Sequence, residues 1–237
     1  MILDKLKREL EHLCNRPDID DVFSASGMQY NPDSLDTLNR SFFPYGKGVN
    51  APNDIDQVLG GIMIVGADFG MQRDIDNAIQ KAGNEFDYNK TFKHLLLVDA
   101  IRTDLNKVFF SNFGLGVRIN VSSNTKRSAS LKAEYIDLCS TFLLKQIEII
   151  QPKVVVLMSK EVVRSFSKSL EELPEDWSKS NFSFKQMLEL EEKGLGGMSK
   201  SVCLNDHYVK FVISPHSCDL RNFTQDYMTL LNSMLFL

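Results

Sequence analysis

The run Ile62-Met63-Ile64-Val65, bounded by Gly61 and broken off by Gly66-Ala67-Asp68-Phe69-Gly70, constrains the fold more than any other stretch. Four large apolar residues in succession leave no polar face, so they suit a central strand covered on both sides. The glycines that follow allow a tight turn and a close approach of backbone to ligand. Asp68 then stands just past the strand's carboxyl end, where open α/β sheets hold their ligands. A second apolar strand with a similar ending, Phe211-Val212-Ile213-Ser214-Pro215-His216, lies far down the chain. The expectation is that these two strand ends face each other across one cleft.

The rest of the chain fits around that pair. Ile2, Leu3, Leu6, Leu10 and Leu13 recur at helical spacing and predict a helix over 2–14. Residues 17–60, rich in Asp, Asn, Ser, Gly and Pro, read as a long irregular excursion. Within it, Phe42-Phe43-Pro44-Tyr45-Gly46-Lys47-Gly48 suits either a loop pinned by its aromatics or a wall of the cleft. Residues 73–82 and 91–101 have helical patterns. Val108-Phe109-Phe110-Ser111 reads as a strand running into Asn112, and 114–130 as a polar loop carrying Arg118, Lys126 and Arg127. A solvated loop explains those cations, and so do contacts to phosphate. Residues 131–150 make the strongest helix. After Gln151-Pro152 comes the buried strand Val154–Met158, and helix-then-strand over so short a link is the crossover pattern of a parallel sheet. A helix over 161–170, a charged surface insertion over 171–200, a hairpin over 201–214 and a closing helix over 222–237 complete the reading.

Composition narrows the function classes. At 237 residues and 43% hydrophobic, the chain can bury one substantial core, read as a single domain over 1–237. A net charge of −4 gives no global basic field, so any nucleic-acid binding must rest on a local surface. Cys14, Cys139, Cys203 and Cys218 form no CxxC pair and read as reduced, mostly buried thiols of an intracellular protein. The charged N-terminus excludes a signal-peptide core or a membrane span there, so the expectation is a cytoplasmic protein with no membrane partner. Neither GxGxxG nor GxxxxGK[ST] occurs, which argues against a dinucleotide or P-loop enzyme.

Four motifs in sequence, between Ile62 and Arg221, resemble the uracil-DNA glycosylase superfamily. Gly66-Ala67-Asp68-Phe69 is similar to its first loop, and VFFSN ends at Asn112 where that family has a base-reading asparagine. LLKQIEIIQPKVVVLMS is similar to its helix, Pro-Lys and apolar strand, and ISPHSCDLRN to its last motif, with His216, Leu220 and Arg221. The resemblance implies a three-layer α/β/α sandwich with a mainly parallel four-stranded sheet, a monomer, and hydrolysis of the bond between sugar and altered base in DNA. It further implies Asp68 for the sugar cation and attacking water, His216 for the departing base, and Asn112 for recognition. Gly66, Ala67, Phe69 and Phe92 would line the base site, with Phe69, Phe86 and Phe92 all open as the stacking ring. Leu220 would be the wedge entering the duplex, and Arg221, Arg118, Lys126 and Arg127 would meet phosphate. Phe69 and Ser217 stand where the family has proline, so the two loops are expected to differ in shape from the family's. Cys139 resembles one ligand of the iron–sulfur relatives, but no partner cysteines match, so no metal or other cofactor is expected. Taken one at a time, Asp68 also reads as a helix cap, His216 as a structural group and Asn112 as turn chemistry. The alternative function is a member of the same fold that binds nucleic acid or a nucleotide without cleaving it.

Overall fold

The computed structural model describes residues 2–30, 58–83, 107–118, 131–216 and 225–235. Among them are helices α1 (Ile2–Cys14), α2 (Ile19–Ala25), α3 (Gln72–Ala82), α4 (Ala133–Ile150), α5 (Lys160–Phe166), α6 (Glu175–Ser178), α7 (Phe184–Glu192) and α8 (Gln225–Leu235). The strands are β1 (Met28–Gln29), β2 (Ile62–Gly66), β3 (Val108–Asn112), β4 (Val117–Arg118), β5 (Val154–Met158), β6 (Ser199–Leu204) and β7 (His207–Ser214).

The main sheet runs β3-β2-β5-β7-β6. β3, β2, β5 and β7 are mutually parallel, and every residue of β2, β3 and β5 is buried, as the apolar runs of β2 and β5 require and with polar Ser111 and Asn112 buried at the end of β3. The chain is an α/β/α sandwich on a mainly parallel sheet. The hairpin expected over 201–214 is present and adds a fifth strand to the four parallel ones: β6 joins the edge antiparallel to β7 through a turn at Asn205-Asp206, both at positive φ. Two-residue hairpins favour that backbone because its twist matches the strands.

Connections fix where a ligand can sit. β2 leads to β3 on one side, whereas β5 leads to β7 on the other, so the connections diverge between β2 and β5. Right-handed crossovers put α3, which follows β2, on one face and α4 and α5, which precede and follow β5, on the opposite face. That reversal marks the carboxyl ends of β2 and β5 as the place where open α/β sheets hold their ligands.

α4 is the main helical cover of its face. Tyr135, Leu138, Phe142, Leu143, Ile147 and Ile150 are buried along it, each such side chain contributing about 1.5–3 kcal/mol. α1 packs on α4 through Leu6 and Leu10. The expected irregular excursion begins instead with α2, because Ile19, Val22 and Phe23 make a short apolar stripe at helical spacing. Phe23 meets Tyr135 edge-on, with ring centroids 5.2 Å apart. The 171–200 insertion packs into the common core rather than lying on the surface, with Trp177 fully buried and its Nε1–H donating to the Gly197 carbonyl at 2.9 Å. Cys139 is buried and Cys14 half-buried, but Cys203 on edge strand β6 is exposed, which corrects part of the thiol expectation. No helix among the described residues is long and apolar enough to cross a membrane.

Candidate active site

Pairing between β2 and β3 continues past the strand ends and builds the site's floor. Gly66 lies opposite Asn112 in the ladder. Beyond it, Phe113 N–H donates to the Gly66 carbonyl (2.8 Å), and Gly114 N–H to the Ala67 carbonyl (2.7 Å). Further on, Arg118 N–H donates to the Gly70 carbonyl (2.8 Å), while β4 pairs with β1 through Met28 and Gln29. The two loops are zipped together, and Asp68 stands between them.

Asp68 is held from both sides. Its Oδ1 accepts Gly70 N–H at 2.7 Å, a turn that Gly70 makes possible at φ +81°. Its Oδ2 accepts Arg118 Nε at 2.7 Å and also Arg118 Nη2. The pair is largely withdrawn from solvent, with the Asp68 side chain 12% and the Arg118 side chain 18% exposed. Behind it, Tyr135 Oη accepts Leu115 N–H at 3.0 Å. Burial, and after it the neighbouring Cys139 thiol and Asp68 carboxylate, push the Tyr135 phenol well above its ordinary range. Tyr135 is therefore a neutral group there.

Asn112, at the end of β3, is 2% exposed, and its Nδ2 finds no hydrogen-bond partner among the described residues. Next to it, buried Ser111 donates its hydroxyl to Gln146 Oε1 of α4 at 2.6 Å. A buried donor without a partner costs about 1–3 kcal/mol, so it calls for an explanation. An acceptor atom of a ligand would supply one.

Asp68 and His216 belong to the same edge of the sheet. Met158 pairs with Ser214 two residues before His216, and β5 alone separates β7 from β2. Two strand spacings amount to about 10 Å. His216 is half-buried. The strand end that carries it is fixed by Ser159 N–H donating to the Ser214 carbonyl (2.8 Å) and by Tyr227 Oη donating to Ser214 Oγ (3.1 Å).

Ser159, in the centre of this edge, closes the third motif but was not named as a site residue. It adopts φ 94°, ψ 154°, a region essentially reserved for glycine, while its Oγ accepts Val162 N–H at 3.4 Å at the start of α5. A serine between an apolar strand and a helix reads as an ordinary cap, so no sequence signal betrays the strain. Gly114 and Tyr135 were also missed as parts of the site.

The remaining expected residues divide cleanly. Gly66, Ala67, Asp68, Asn112 and Arg118 come together on the β2–β3 side. Arg118 faces Asp68 here, where the sequence reading had it meet phosphate. Phe69 is fully buried, so a base could stack on it only if that ring left the core. Phe92, Lys126, Arg127, Leu220 and Arg221 lie outside the described residues, as do Phe86, Ser217 and the 42–48 segment. Among the described residues no three of His, Cys, Asp and Glu gather as a metal site. No protein-family model and no curated protein matches the chain.

Proposed function

We propose that this protein is a DNA glycosylase that hydrolyses the bond between deoxyribose and uracil, or another altered base. The observation that carries the reading is Asn112: a buried amide donor without a partner among the described residues, at the carboxyl edge of the sheet and one residue pair from the Asp68 loop. A base turned out of the helix has acceptor atoms on its Watson–Crick edge that could meet such a donor. The order of motifs along the chain and the shared edge of Asp68 and His216 add support.

In this reading water adds to the anomeric carbon as the carbon–nitrogen bond breaks. The bonding pair leaves with the base, which then takes up a proton. Asp68 stabilises the oxocarbenium-like sugar and orients the water, and His216 stabilises charge on the departing base. Loss of one preorganised group of this kind costs about 10²–10³ in rate.

The Asp68–Arg118 ion pair favours a second reading. A carboxylate already neutralised by a guanidinium is a weaker partner for a cation, which suits a protein that binds a base or nucleotide and leaves it intact. Single- and double-stranded oligonucleotides carrying a panel of altered bases separate the two. Abasic product with the wild type, and none with Asp68→Asn, supports hydrolysis. Binding without product from any base would leave only the second reading, and neither binding nor product would end both.

A further inference from the structure

We propose that Arg118 is a positioning residue for Asp68 and makes no contact to nucleic-acid phosphate. The proposal rests on the reading of Asp68 as the acid group of the site, but its geometric half stands on the ion pair alone.

Arg118 is anchored to the Asp68 loop before its side chain is considered. Its backbone N–H donates to the Gly70 carbonyl, it bridges to Met71, and it pairs with Met28 of β1. The guanidinium then presents both Nε and Nη2 to one oxygen, Oδ2. A carboxylate offers about four acceptor sites over its two oxygens. Arg118 takes both on Oδ2 and Gly70 N–H takes one on Oδ1, which among the described residues leaves a single site, on Oδ1. Asp68 thus meets a water or a substrate hydroxyl from one direction only, and Arg118 sets that direction.

Transfer of the guanidinium to a phosphate would strand a carboxylate that is nearly buried. Breaking such a pair is costly because the charge left behind stays desolvated. Long, exposed cations elsewhere on the surface reach phosphate without that penalty. The spare lone pair on Oδ1 and the anchored Arg118 backbone both fit a part built to hold still.

The test uses the full chain, with Arg118→Met, Arg118→Lys and Asp68→Asn, on a uracil-containing duplex. Arg118→Met is expected to leave the slope of log affinity against log salt unchanged. If the duplex is cleaved, kcat should fall on the order of 10²-fold with KM almost unmoved, because misplacement of the reacting groups is what changes. Arg118→Lys keeps the charge without the two-pronged grip and should recover only part of kcat. Thermal melts should show the Tm losses of Arg118→Met and Asp68→Asn failing to add in the double variant. A slope shallower by about 0.9, the signature of one lost phosphate contact, together with an intact kcat would overturn the proposal. Additive Tm losses would overturn it too. Absence of cleavage in the wild type counts against the glycosylase reading alone, since slope and melts still decide Arg118. Should Arg118→Met not fold, full wild-type activity in Arg118→Lys would mean that a point charge suffices, and the positioning role would be discarded.

Discussion

A Cβ placed on Gly114 would lie 3.0 Å from the Cβ of Asp68. The same atom would come within 3.0 Å of the Ala67 carbonyl oxygen and 3.3 Å of Tyr135 Oη. One methyl group at Gly114 would therefore press on the acid side chain, the backbone of its loop and the phenol behind it. All three neighbours are anchored by hydrogen bonds and have little room to yield. Gly114→Ala is expected to destabilise the fold by about 1–3 kcal/mol, the usual cost of overpacking. It should also shift Asp68 and depress any cleavage more than Asn112-dependent binding. Urea unfolding together with single-turnover assays checks both, and an Ala variant of wild-type stability would show that the loops part easily.

Ser159 offers a cleaner stability experiment. Its φ of 94° and ψ of 154° cost roughly 1–3 kcal/mol for a residue with a side chain. Glycine would remove that strain, at the expense of a long cap bond and about 0.5–1 kcal/mol of extra unfolded-state entropy. The expected net gain for Ser159→Gly is about 1 kcal/mol. Ser159→Ala keeps the strain and loses the cap, so it should be less stable than the wild type by about 1 kcal/mol. Opposite signs for the two variants in chemical denaturation are the signature sought. The same sign in both would mean that the backbone there is relaxed.

These residues also show which parts of the molecule could be read from its sequence. Strands such as Ile62–Val65 and Val154–Met158 are legible because a fully buried strand needs an uninterrupted apolar run. α4 is legible because its apolar positions repeat at helical spacing. The β6–β7 hairpin is legible from Asn205-Asp206 between two strand-like runs, whereas α2 was blurred because it contributes only a few apolar residues. At the site, Asp68 stood out by lying just past a strand end and Asn112 by closing one. Arg118 could not be assigned to Asp68, because fifty positions separate them and the pairing depends on how β4 folds back beside Gly70. The strain at Ser159 is a property of backbone angles, which a serine in the sequence does not announce.

The thiols should separate by burial and by pH. Burial pushes the Cys139 thiol up to about 12 and the Cys14 thiol up to about 11, whereas Cys203 is exposed on β6. In native buffer near neutral pH, a thiol reagent followed by peptide mass analysis should label Cys203 and spare Cys139 until the chain unfolds. The sign of the pH effect follows from proton counts. Between about pH 9 and 12 the unfolded chain has released the Cys139 proton and the folded chain still holds it. The unfolded state binds fewer protons in that window, so stability is intact below pH 9 and falls as pH rises through it. Cys139→Ala should lower stability at pH 8 yet flatten the alkaline decline. A decline as steep as the wild type's would show that other groups cause it.

Asn112 is where stability and function should pull apart. Its Nδ2 is buried without a partner among the described residues, at a cost of about 1–3 kcal/mol if nothing binds. An apolar residue of similar size removes that penalty. Asn112→Leu is therefore expected to match or exceed wild-type stability in urea unfolding, and at the same time to lose recognition of an altered base. Asn112→Asp exchanges the donor for an acceptor, and places a second carboxylate beside the Asp68 loop. It should be less stable than either and fail to bind the same base. If Asn112→Leu binds and releases bases as the wild type does, the amide is a tolerated defect of the core. The base site must then lie elsewhere along the carboxyl edge, nearer the Ser159 and His216 strand ends.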